Sequence, residues 1–316
     1  MKIAVLDSDS LGRDLSLDAL LALGDVSVYP STSEEDTVKN ISDADVVLIN
    51  KVKITADVMN KCPRLRLICI FATGYDNVDI SAARKHGIAV CNVPGYSTDS
   101  VALCTVATVL SLLTHLKEYN RYVTDGSYTK SGVPNRLEPV FHELSGKVWG
   151  IIGAGNIGRA VARVAEALGA EVIVNKRNPV PDLSCVDIET LAAKSDIITI
   201  HCPLNDGSRG LINSKLIGLM KKDVIIVNEA RGAVVVDEDI VEAIKQERIG
   251  AFGSDVYTSE PFSNEHPFFE IMTLDNVLLT PHFAWGAYES RMRCLQIVCN
   301  NIRSFFGGET LNRVDI

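Results

Sequence analysis

The chain has no CxxC pair, no concentrated block of lysine and arginine, no internal repeat and no low-complexity tract. Each absence removes a class of protein. The eight cysteines (Cys62, Cys69, Cys91, Cys104, Cys185, Cys202, Cys294 and Cys299) are scattered, mostly inside apolar segments. That pattern excludes a paired disulfide framework and reads as reduced core thiols of a cytoplasmic protein, and no metal site is expected. The formal charge of -9, from 31 Lys+Arg against 40 Asp+Glu, argues against a general nucleic-acid binder, because neutralising phosphates takes a basic surface. No basic region followed by an apolar segment opens the chain; residues 1–7 run straight into a strand pattern, so no export signal is expected. The longest apolar stretch, 101–116, contains three threonines, a serine and His115 and is short for a membrane span. It predicts a buried helix.

What is present is a regular alternation. The 316 residues suffice for two domains, each with its own core. Apolar runs predict strands at 3–6, 26–29, 46–49, 67–70 and 89–91, then at 148–152, 171–174, 197–200, 224–228, 250–254 and 277–279, with helical segments between. Strand and helix in alternation favour parallel sheets covered on both faces, so the expected architecture is two doubly wound α/β domains. The turn-rich segment Asn92-Val93-Pro94-Gly95-Tyr96-Ser97-Thr98 marks the first crossover, with Thr98 or Asp99 available to cap the buried helix. Residues 287–306 carry helical apolar spacing at Ile297, Val298, Ile302 and Phe305 and are expected to return to the first unit. The predicted division is 1–98 with 287–316 as a discontinuous domain, and 99–286 inserted into it.

Directly behind the run 148–152 stands Gly153-Ala154-Gly155-Asn156-Ile157-Gly158, opening a helix. The first glycine permits a tight strand-to-helix turn, the second lets backbone approach a pyrophosphate, and the third lets helix pack on strand. The helix N-terminus then faces the diphosphate charge. In such a fold an acidic residue some twenty positions on usually receives the adenosine ribose hydroxyls. Here the second strand ends in Asn175-Lys176-Arg177-Asn178. The repelling carboxylate is gone and two cations stand in its place, which favours NADP, with NAD possible if a carboxylate arrives from elsewhere.

Three polar residues follow strands of the second series, where open parallel sheets bind ligands. Arg231 can hold a carboxylate and polarise a neighbouring carbonyl. His282, in Thr280-Pro281-His282-Phe283-Ala284-Trp285, and Glu260, before Pro261, offer a proton donor near neutrality and a carboxylate to orient it. Together they suit reduction of a carbonyl by a nicotinamide.

These segments, in this order, resemble the D-isomer-specific 2-hydroxyacid dehydrogenases over nearly the whole chain. The resemblance rests on Gly74-Tyr75-Asp76-Asn77-Val78-Asp79, on 87–97, on the glycine turn and on the segments around Arg231, Asp255, Glu260 and His282. Residues 48–51 and 280–285 look most like the hydroxypyruvate reductase and glycerate dehydrogenase branch. The resemblance implies a Rossmann cofactor domain inserted into a flavodoxin-like substrate domain, and a homodimer to which the helix after Val101 contributes. It implies that the amides of Thr73 and Gly74, with Lys51 and Arg231, bind a substrate carboxylate. It further implies that Cys202, Pro203, Glu229, Ala230 and Asp255 line the cofactor site with Gly153, Gly155, Asn156, Ile157, Gly158, Lys176 and Arg177. Domain closure, with hinges near 94–99 and 284–288, would complete the reaction of a small 2-keto acid such as hydroxypyruvate or glyoxylate to its D-2-hydroxy acid. Lys176 departs from the family's usual acid, Leu103 and Cys104 stand where Glu or Gln and His are frequent, and 131–142 is short and lacks a tryptophan. The rival readings are a reductase for larger 2-keto acids and, from another class, a dinucleotide-sensing corepressor, against which stands the absence of a docking tail. Phosphoglycerate dehydrogenase is the less expected reading, since no regulatory extension is read in the sequence.

Overall fold

The computed structural model describes residues 1–178 and 180–316, which form two compact units. The first comprises Met1–Ser97 and Trp285–Ile316; the second is Thr98–Ala284. Two edges of the expected division move. Thr98 already belongs to the helix Thr98–Leu113, and Trp285 stacks edge-on against Tyr96 at 6.2 Å, which draws it and Gly286 into the first unit.

In the first unit, β1 (Lys2–Val5), β2 (Asp25–Val28), β3 (Val46–Ile49), β4 (Leu67–Ile70) and β5 (Ala89–Cys91) form one parallel sheet in the order β2-β1-β3-β4-β5. This is the flavodoxin-like order. Alternate residues go to opposite faces: Ile3 and Val5 join one apolar cluster, while Ala4 joins the other. The long helix Tyr288–Phe306 returns to this sheet, burying Cys294, Leu295, Val298, Cys299 and Ile302. Beyond it the chain closes the β5 edge. Val314 N–H donates to the Val90 carbonyl at 2.9 Å, and Val90 N–H donates to Asp315 Oδ1 at 2.8 Å. Arg313 pairs with the same carboxylate.

In the second unit, β6 (Val148–Ile152), β7 (Glu171–Asn175), β8 (Ile197–Ile200), β9 (Ile225–Asn228), β10 (Ala251–Ser254) and β11 (Val277–Leu279) form a parallel sheet in the order β11-β10-β9-β8-β6-β7. A single parallel bridge, Val174↔Cys185, adds a one-residue strand outside β7. With it the order becomes that of a Rossmann domain, reversing between β6 and β8. Ile152, Ile198, Ile200 and Ile226 face one cluster and Ile151, Ile197, Ile225 and Val227 the other, so both faces are buried.

The predicted buried helix begins three residues early, at Thr98, so neither Thr98 nor Asp99 caps it. It stops at Leu113, and His115 takes a left-handed backbone (φ 50°) from which a second helix, Leu116–Thr124, departs. Thr108 meets Gly253 so closely that a Cβ there would lie 2.5 Å from its methyl group. No single helix among the described residues is long and apolar enough to cross a membrane.

Candidate active site

The glycine turn leaves β6 at the reversal point. Gly153 has φ 95°, and a Cβ on it would lie 2.6 Å from the Cys202 backbone nitrogen and 2.7 Å from the His201 carbonyl carbon. Only glycine lets the segment leaving β8, with Cys202 and Pro203, pass there. Gly158 packs as closely on the Gly153 carbonyl. Gly155 differs: it is the N-cap of the helix Asn156–Ala167, has no side-chain cap bond, and a Cβ on it would meet nothing within 4 Å. Open space beside first-turn amides of a 12-residue helix fits a pyrophosphate.

At the end of β7 lies a cavity of about 480 Å³ lined by Asn175, Lys176, Cys185, Val186, Asp187 and Thr190. Lys176 is half-buried and Arg177 exposed. A carboxylate does reach this cavity, but Asp187 caps the helix Ile188–Lys194: Thr190 donates to it from N–H (2.6 Å) and from Oγ1 (2.9 Å). These bonds hold the Asp187 carboxyl below its usual range.

Across the same edge, Arg231 follows β9. Asn228 shapes the segment, donating from Nδ2 to the Arg231 carbonyl (3.0 Å) and accepting from Ala230 N–H (3.1 Å). Gly232 packs directly on the Tyr257 carbonyl, so the Arg231 segment lies against the 257–260 loop. In that loop Tyr257 N–H donates to Glu260 Oε1 (3.0 Å), and His282 Nδ1 stands 2.6 Å from Glu260 Oε2. The imidazole is thereby oriented through Nδ1. His282 sits in a left-handed backbone, φ 52°. Asp255 enforces that turn. It is 2% exposed; its Oδ1 accepts from Thr280 Oγ1 (2.6 Å) and Phe283 N–H (3.0 Å), and its Oδ2 from Ala284 N–H (2.9 Å).

Some supports had no sequence signal. Buried His266 pairs with Asp237 (3.3 Å), which also accepts from Thr258 Oγ1 (2.7 Å), anchoring the 257–260 loop from below. In the first unit Asp7, following β1, accepts the amides of Asn50, Lys51 and Val52, so the backbone of Lys51 is committed. Burial raises the Asp7 carboxyl despite those bonds. Thr73 donates from Oγ1 to the Val93 carbonyl (2.8 Å), and its own carbonyl accepts from Asn92 Nδ2 (2.8 Å), fixing the backbone that enters Gly74.

Fold and glycine turn together define a dinucleotide-binding protein of the Rossmann class. Known proteins agree. Residues 106–284 match the family model described as D-isomer specific 2-hydroxyacid dehydrogenase, NAD binding domain. The chain is 37% identical to a hydroxypyruvate reductase of Blautia hydrogenotrophica, covering 100% of both chains. Among solved structures it is similar to D-lactate dehydrogenase from Aquifex aeolicus complexed with NAD and lactic acid (26% identity, TM-score 0.88, 100% of this chain and 99% of that one). It is also similar to an acyclic imino acid reductase, Bsp5, in complex with NADPH and D-Arg (29% identity, TM-score 0.86, 99% and 100%). The chain belongs to the D-isomer-specific 2-hydroxyacid dehydrogenase family.

Proposed function

We propose that this dehydrogenase reduces a small 2-keto acid such as hydroxypyruvate or glyoxylate to the D-2-hydroxy acid, with NADPH preferred. The observation that carries this is the His282–Glu260 pair, 2.6 Å apart in a turn whose backbone is pinned by Asp255. When bound, the reduced nicotinamide supplies hydride equivalents. Protonated His282 holds the proton destined for the carbonyl oxygen, and Glu260 stabilises that charge and fixes the ring. Arg231 pairs with the substrate carboxylate and offsets charge growing on the carbonyl oxygen. In the same reading Thr73, Gly74 and Lys51 are carboxylate ligands, and Asp255 is a positioning residue for His282.

NADPH preference is supported by Lys176 and Arg177, which stand where an acid would repel a 2'-phosphate. A homodimer is supported by the exposed apolar side chains of the second unit, among them Leu103 (69%), Leu137 (74%) and Val140 (67%). Eight free thiols suit a cytoplasmic, reducing setting.

The test is a panel of 2-keto acids with NADPH and NADH, run on the parent and on His282→Asn. Asparagine tolerates a left-handed backbone, so the turn should survive. The variant is expected to bind cofactor normally while turnover falls by roughly 10²–10⁴. Parent-level turnover in the variant would reject His282 as the proton donor.

A further inference from the structure

The ends of four strands of the second sheet are in register: Ile152 beside Ile200, Ile200 beside Asn228, and Asn228 beside Ser254. One residue further on, the crest of the sheet therefore reads Gly153, His201, Glu229, Asp255. Gly153 and Asp255 have structural employment. The two between them do not. Among the described residues, four buried side-chain polar atoms lack a hydrogen-bond partner, and three are His201 Nδ1, His201 Nε2 and Glu229 Oε2. Buried polar groups are nearly always satisfied, so adjacent unsatisfied ones on a ligand-binding edge point to a ligand.

Glu229 is the informative member. Its side chain is half-buried as a whole, but Oε2 is sealed from solvent. The groups around it do not stabilise a negative charge. Cys104, on the helix Thr98–Leu113, is a thiol that burial and the nearby Glu229 and Asp255 push up to about 11. Asp255 on the β10 crest is an acid, and Tyr257 beyond it is a buried phenol pushed up by burial and by neighbouring acids. His201 on the β8 crest is kept neutral by burial, its pKa lowered to about 3. Arg231, two residues along, turns Nη1 onto the Ala230 carbonyl at 2.8 Å. Burial first, and Asp255 second, raise the Glu229 carboxyl to about 9.

We propose that Glu229 discriminates between the reduced and oxidised cofactor by exchanging a proton with solvent: it stays a carboxylic acid beside the neutral reduced ring and ionises beside the positively charged oxidised one. The inference rests on the reading that the nicotinamide end occupies this crest. In the acid form, Glu229 can donate a hydrogen bond to a carbonyl acceptor such as the ring's carboxamide. In the ionised form it adds a second negative charge beside the ring's positive one, next to Asp255, whose oxygens are held by the 280–284 turn.

Linkage makes this measurable. Equilibrium dissociation constants for NADP⁺ and NADPH (or NAD⁺ and NADH, whichever pair binds more tightly) are measured without substrate from about pH 7 to about pH 10. In the parent the ratio of the oxidised to the reduced constant should fall several-fold across this range, with tenfold per pH unit as the limit. In Glu229→Gln, which is isosteric, neutral and still a donor, the ratio should stay flat across this range. Calorimetry of NADP⁺ binding in buffers of different ionisation enthalpy should show proton release, up to about one per site, in the parent and none in the variant. A flat parental ratio with both cofactors bound overturns the inference alone. An unchanged slope in Glu229→Gln overturns it too, assigning the proton to another group such as His282. Failure of either cofactor to bind overturns the placement of the nicotinamide as well.

Discussion

His282 occupies a backbone region that non-glycine residues enter at some cost, and it does so between three hydrogen bonds to one carboxylate. A histidine free to relax would lose its fixed distance to Glu260. At Glu229 a different balance holds, because burial opposes its ionisation in the folded protein. Its pKa in the native protein, about 9, lies above that of an unfolded glutamate, so its contribution to stability is fully present below the ordinary carboxylate range and is lost as pH rises through about 9. Glu229→Gln removes that loss. The variant should therefore melt higher than the parent, with the gap widening from about pH 5 to about pH 9, at roughly 2–4 °C per kcal/mol recovered in domains of this size. Melting curves that stay parallel across pH would show that the carboxyl is not held neutral. The pairing of Glu260 with His282 was legible because each follows an apolar strand and has a recognisable chemistry. The raised carboxyl of Glu229 was not, since it depends on burial and on Asp255, far from it in sequence.

At the scale of the elements, the three glycines of the β6 turn serve unlike purposes, and substitution should separate them. Gly153→Ala places a methyl group against the backbone leaving β8 and demands a left-handed alanine. It should lower the melting temperature and the cofactor affinity together. Gly155→Ala meets only open space on a backbone any residue adopts (φ -81°). Its melting temperature without cofactor should stay close to the parent's while the cofactor dissociation constant rises about tenfold or more, because the methyl group stands where phosphates approach. Unimpaired binding by Gly155→Ala would move the pyrophosphate elsewhere. Most strands could be read from sequence because parallel strands buried on both faces are continuous apolar runs, as in Val46-Val47-Leu48-Ile49 and Ile197-Ile198-Thr199-Ile200. The strand at Cys185 could not, since one bridge needs no run. Nor could the grip of Asp255 on the 280–284 turn: its partners are mostly main-chain amides, which carry no sequence signature.

For the molecule as a whole, cofactor choice sets which cellular reductant the enzyme draws on. Replacing Lys176 and Arg177 by neutral residues should weaken NADPH binding by about tenfold or more and leave NADH within a fewfold, as loss of two charge-assisted contacts predicts. Equal losses for both cofactors would reject a 2'-phosphate site there. The two-unit division was visible in the sequence as two series of strands followed by an apolar-spaced helix, whereas its edges were set by local contacts, Trp285 on Tyr96 and the helical start at Thr98.

The return of residues 285–316 to the first sheet also orders events during synthesis. All strands of the inserted unit are translated before the helix that covers β4 and before the amide that pairs with the Val90 carbonyl. The unit made in the middle thus has all its strands first, and the one begun earliest waits with an open edge for residues made later.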